Sequence, residues 1–181
     1  MKRLACIALL WLPLSLPVLA QSIDWRDQKG NPVVDQPMMK SKNGFGASLL
    51  MTPDQDWKEK WDTPPETAPS FRSTDSVKYG EQVTLLTFFT SPRRDAGGKV
   101  RVRCDHKITA PDGKVQLEQR DQACFEGVLA GAQYAMYLAG PVIKFAGDPG
   151  DLEGVWVFDV VVRDEIGQIT LPLQATLTLK H

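Results

Sequence analysis

The chain has 181 residues, 43% of them hydrophobic, with 21 basic against 22 acidic side chains and a formal net charge of −1. So even a balance gives no reason to expect nucleic acid or an anionic membrane as partner, because both require concentrated positive charge. Two histidines and three cysteines leave little material for imidazole or thiol chemistry, and the length suits one domain with an appended segment.

The first twenty residues have the pattern of a secretory signal peptide. Lys2 and Arg3 form a basic start, Leu4–Leu12 is a short apolar run, Pro13 and Pro17 break it, and Val18-Leu19-Ala20 places a small residue before a cleavage point. A membrane span needs roughly 20 predominantly apolar residues, and two prolines interrupt this stretch. Cys6 is not a lipid-attachment cysteine, because it comes three residues after Arg3 rather than after the apolar run. The expected mature protein therefore begins near Gln21, in the periplasm or secreted, with no membrane span after cleavage. Removing Lys2 and Arg3 from the 21 basic residues leaves 19 against 22 acidic.

Cleavage also removes Cys6. Cys104 and Cys124 remain, and an even pair in an oxidising compartment reads as a disulfide. It would close a loop of about 20 residues, which the loop-entropy relation values at about 3 kcal/mol.

Residues 21–76 read as an N-terminal arm, rich in Pro, Asp, Lys and Trp and with little sustained period. Gly44–Met51 is expected as a short strand. Thr52-Pro53-Asp54-Gln55 carries an N-cap Thr, a Pro at the first helical position and Gln three residues after the cap. A helix from Pro53 to about Trp61 would set Trp57 and Trp61 on one face, and Pro64-Pro65 would end it. Met38, Met39 and Met51 are soft ligands for copper in principle, but adjacent methionines diverge along an extended chain.

Residues 77–181 read as a β-sandwich domain. Glu81–Thr90 is apolar on both faces and expected to be central. Along Lys99–Ile108, Val100, Val102, Cys104, His106 and Ile108 share one face. Pro111-Asp112-Gly113 turns this strand into Lys114–Gln119, and Cys124–Leu129 and Pro141–Phe145 are further candidates. Gly154–Asp164 presents Trp156, Phe158, Val160 and Val162 to a core. Gly167 turns the chain into Ile169–Leu179, where apolar residues alternate around Pro172, which argues for an edge or a bulge. Short strands at regular spacing indicate an all-β, antiparallel sandwich, with an arm carrying one short helix.

Pro141, Ile143, Phe145, Gly154, Trp156, Phe158, Val160, Val162 and Asp164 form a pattern that resembles the last strands of immunoglobulin-like and fibronectin-like bacterial modules. The resemblance implies an immunoglobulin-like sandwich. Trp156 stands where many such modules have a corner Tyr. The chain as a whole resembles small exported proteins of Gram-negative bacteria, a likeness that transfers no functional residue.

Catalytic signals are sparse. Gly46-Ala47-Ser48-Leu49-Leu50 lacks the closing glycine of a nucleophile elbow. Cys104 and His106 share a strand face, compatible with a thiol–imidazole dyad, with metal ligation, or with a disulfide cysteine beside a structural histidine. Asp148, Asp151 and Glu153 crowd one turn, as a calcium loop or a solvated turn would. Asp95-Ala96-Gly97-Gly98 lacks the lysine of a phosphate loop and reads as a hairpin tip. Trp25, Trp57 and Trp61 either cover an open sandwich face or contact a partner or ligand. The expectation is a non-enzymatic module that binds another envelope or secreted protein, with no cofactor and no bound metal. The alternatives are a carbohydrate or small-ligand domain using the Trp residues, and an enzyme built around Cys104 and His106.

Overall fold

The computed structural model describes residues 34–63, 69–132 and 134–181; the expected signal segment, Trp25 and Pro64-Pro65 lie outside them. The protein is an all-β sandwich. Its first sheet contains β1 (Met39–Lys42), β2 (Phe45–Thr52), β4 (Gln82–Thr90), β7 (Met136–Leu138) and β8 (Ile143–Ala146). The second runs in the order β3 (Ser76–Lys78), β10 (Ile169–Lys180), β9 (Gly154–Asp164), β5 (Lys99–Thr109), β6 (Val115–Val128). All pairings are antiparallel except β3 with β10, which is parallel.

Alternation builds the core. Trp156, Phe158, Val160 and Val162 of β9 are buried, as are Ile169, Leu171, Leu173, Ala175, Leu177 and Leu179 of β10. Val100, Val102, Cys104, His106 and Ile108 of β5 join them. They meet Phe45, Ala47, Leu49 and Met51 of β2 and Val83, Leu85 and Phe89 of β4. β4 is central, lying between β2 on one side and β7 and β8 on the other. Pro172 costs no ladder bond: β3 pairs with β10 only at Thr178–Lys180, so β10 is an edge at Pro172.

The segment upstream of residue 76 is more than an arm. β1 and β2 form a hairpin closed by Asn43 (φ 50) and Gly44 (φ 88), the left-handed pair that a two-residue turn demands. β2 then pairs with β4 from Gly46↔Thr90 to Thr52↔Thr84. The sandwich thus begins at β1, and Met51 is buried in its core rather than aligned with Met38 and Met39 as a soft-metal site.

Helix α1 is shorter than expected, Trp57–Trp61, with Asp56 at its N-cap and no side-chain cap bond. Thr52 belongs to β2, and its Oγ1 accepts a bond from Asp54 N at 3.1 Å. The physical reason is Asp54. Its buried carboxylate accepts from Lys60 Nζ (2.7 Å), Arg72 Nε (2.6 Å) and Arg72 N (3.0 Å), which holds this backbone in a turn. Residues 91–98 also differ from expectation: they carry the chain from the first sheet to the second, with a tight turn where Gly98 N donates to Asp95 O (3.0 Å).

β6 merges two expected strands into one. Register shifts at Val102/Arg103, Cys104/His106 and Ile108/Thr109 interrupt the period of two. The acidic turn is fixed from both sides. Trp156 Nε1 donates to Leu152 O (2.9 Å) and Tyr79 Oη to Asp151 O (2.8 Å). Trp156 thus makes its own local bond where the resembling modules use a tyrosine.

Candidate functional site

Cys104 and His106 are two residues apart on β5, so both point inward. Val102 pairs with Phe125 and Arg103 with Ala123, which leaves Cys124 as the extra residue of a bulge on β6. Its carbonyl, freed from the ladder, accepts from Gly140 N at 2.9 Å just beyond β7, tying the second sheet to the first. Its sulfur is bonded to that of Cys104 across a Cα separation of 5.7 Å. The disulfide expected from composition is therefore present and buried, which suits an oxidising, extracytoplasmic environment. No helix among the described residues is long and apolar enough to cross a membrane.

With its sulfur in the disulfide, Cys104 offers no thiolate, so the thiol–imidazole dyad has no nucleophile in this state. His106 is 2% exposed, and neither Nδ1 nor Nε2 has a hydrogen-bond partner among the described residues. Burial pushes its pKa below the ordinary value, opposed by the neighbouring Asp105. Its apolar surroundings thus favour the neutral imidazole. Among the described residues, Cys104, His106 and Cys124 are the one group of three metal-capable side chains, with ligand atoms within 4.8 Å of one another. The acidic turn is occupied differently: Asp151 Oδ2 accepts from Asp148 N (2.9 Å), and the carbonyls of Asp151 and Leu152 are taken by Tyr79 and Trp156.

The two outer faces differ. Over the first sheet, Trp61 packs its ring on Phe88 with centroids 5.2 Å apart, and Phe71 lies 6.4 Å from the same ring. Trp57 is half-buried on the same helix. Over the second sheet, Arg163 pairs with Asp105 at 2.5 Å and reaches Asp121 (3.3 Å) and Glu165 (3.7 Å). The Arg163 hydrogen bond holds the Asp105 carboxyl below the usual carboxylate range. Lys107–Asp159 and Arg103–Glu126 pairs continue this charged surface. At the corner between sheets, Asp35, Pro37, Lys40, Asp159, Pro172 and Gln174 line an open groove of ≈ 580 Å³, closed on one side by Gln174 N donating to Pro37 O (2.8 Å).

Sequence reasoning missed the outer edge of β6. Among the described residues this fourteen-residue strand pairs with β5 alone, and Val128 at its end is exposed, as are Tyr134 in the following loop and Met136 at the start of β7. Charged Glu118, Arg120 and Asp121 punctuate β6, with Asp121 at φ 54. The run 114–129 has no sustained alternation, so the sequence predicts Lys114–Gln119 and Cys124–Leu129 as separate strands.

No protein family matches the chain, and no curated protein does. Among solved structures it is similar to a family 123 glycoside hydrolase from Clostridium perfringens, described for glycolipid glycan hydrolysis, at 7% identity and a TM-score of 0.45. The match covers 76% of this chain and 27% of that protein, so the chain spans about a quarter of its length.

Proposed function

We propose that the protein is a non-enzymatic binding module of the periplasm or of the secreted fraction, which engages an extended segment of another envelope or secreted protein. The observation that carries this reading is the β6 edge. A long strand whose outer edge pairs with no other strand among the described residues is a template for an added strand, away from Cys124, whose carbonyl already bonds Gly140 N. Val115 and Val128, the first and last residues of β6, are exposed apolar side chains on it. The buried disulfide supports an extracytoplasmic location. For the carbohydrate alternative, Trp61 already spends one ring face on Phe88.

Photo-cross-linking side chains placed at Gln116 and Glu118, compared with one at Thr176 on β10, test the reading in the native cell envelope. A discrete adduct from the two β6 positions and none from Thr176 is expected. Equal adducts from all three, or none from β6, refute it.

A further inference from the structure

We propose that Cys104, Cys124 and His106 form a redox-gated site for a thiophilic divalent cation of the Zn²⁺ class, shut while the disulfide is intact and opened by a dithiol reductant. The three ligand atoms already lie within 4.8 Å of one another, and two thiolates with one imidazole are a recurrent zinc donor set that leaves one position open. The second observation is independent of the cysteines. His106 is 2% exposed and both its ring nitrogens lack a partner among the described residues, an arrangement that costs free energy unless something accepts the lone pair. A cation between the sulfurs does that.

The chemistry balances. A thiolate of the dithiol attacks one sulfur of the Cys104–Cys124 bond, giving a mixed disulfide and releasing the other protein sulfur. The second thiol of the reagent then closes its own disulfide and releases the attacked cysteine. The reagent loses two electrons and two protons, and the protein gains both as two thiols. Cation binding expels the two thiol protons to solvent, and His106 binds through the lone pair of one ring nitrogen. Charge selects the ion: two thiolates neutralise a divalent cation, whereas a monovalent one would leave net charge in an apolar core. Cys104 and Cys124 are 0% and 4% exposed, so the reagent reaches their bond through local opening of β6, an edge strand interrupted by bulges.

The test uses the full chain, reduced with dithiothreitol under anaerobic conditions and freed of reagent, with Co²⁺ as probe. The reduced chain is expected to bind one Co²⁺ with thiolate-to-cobalt charge-transfer absorption, displaced by Zn²⁺, and the oxidised chain none. His106→Leu should weaken binding by ~100-fold or more, since even partners beyond the ligands cost 10–100-fold. Zn²⁺ should also raise the melting temperature of the reduced wild-type chain and not that of reduced His106→Leu. No uptake by the reduced chain, equal binding by His106→Leu, or a reduced chain that unfolds and is not refolded by Zn²⁺ would each overturn the site. Uptake of Cu⁺ without Co²⁺ or Zn²⁺ overturns the divalent assignment.

Discussion

The ring of Trp61 lies 5.2 Å from that of Phe88, tilted by 40°, so that a one-turn helix closes the outward face of the central strand β4. β4 is apolar on both sides, and its outward residues would face water without this cover. Trp61→Ala should therefore destabilise the fold by about 3 kcal/mol, the low end for large aromatic truncations because Trp61 is only partly buried. Guanidinium unfolding should show a lower midpoint with an unchanged slope. A change below about 0.5 kcal/mol would mean that the helix does not hold the sheet.

Asp54 ties the same cover down. Its carboxyl is held well below the usual carboxylate range, first by the Lys60 hydrogen bond and then by those of Arg72. A depressed folded-state pKa contributes stability that is complete above the unfolded value near 3.8 and is lost as pH falls through the folded value. Asp54→Asn should remove that acid dependence and speed protease cleavage between residues 53 and 75 at neutral pH. Unchanged cleavage would show that Lys60 and Arg72 find other anchors.

The contribution of His106 is lost in the same direction, starting at a higher pH. Burial makes the folded chain bind its proton less readily than the unfolded chain, so its contribution is complete above about pH 6.5 and is lost as pH falls through the lower folded pKa. His106→Leu removes two unpaired nitrogens from the oxidised core and should be neutral or stabilising at pH 7. The stability difference between the two proteins should widen in favour of the variant between pH 6.5 and pH 5. A parallel pH dependence would place the imidazole in water.

Asp164 fastens the β9–β10 turn to the crossing between sheets. Its Oδ2 accepts from Arg93 N (2.7 Å) and its Oδ1 from Gly167 N (3.0 Å). A Cβ at Gly167 would collide with that carboxylate and stand 3.2 Å from Arg93 Cβ. Gly167→Ala should cost about 1–3 kcal/mol, through displaced hydrogen bonds and overpacking together. Thermal unfolding of Gly167→Ala beside Asp164→Ala checks it: the double variant should lose less than the sum.

Much of the fold was legible where a strand is long and one face is dry. β9 matches the expected Gly154–Asp164, and β10 differs from Ile169–Leu179 by one residue, because burial imposes a period of two that survives as pattern. β3 and β7, three residues each, carry no period and exist because β10 and β4 offer them open edges. β1 had a local signal that went unread, Asn43-Gly44, the turn that specifies its hairpin. β6 was split in two because bulges shift its register against β5.

The candidate site divides the same way. Alternation along β5 told that Cys104 and His106 face inward, and composition told that Cys104 would pair with Cys124. These depend on nearest neighbours in the chain and on redox compartment, both readable without coordinates. Three things needed the tertiary structure: that the bulge brings Cys124 to Cys104, that none of the described residues accepts from or donates to His106, and that Phe88 is what Trp61 covers. Each is a contact between residues distant in sequence, decided by which strands pair and in what register. Hydrophobic alternation states only that a side chain is buried, and the packing of the two sheets chooses what it is buried against.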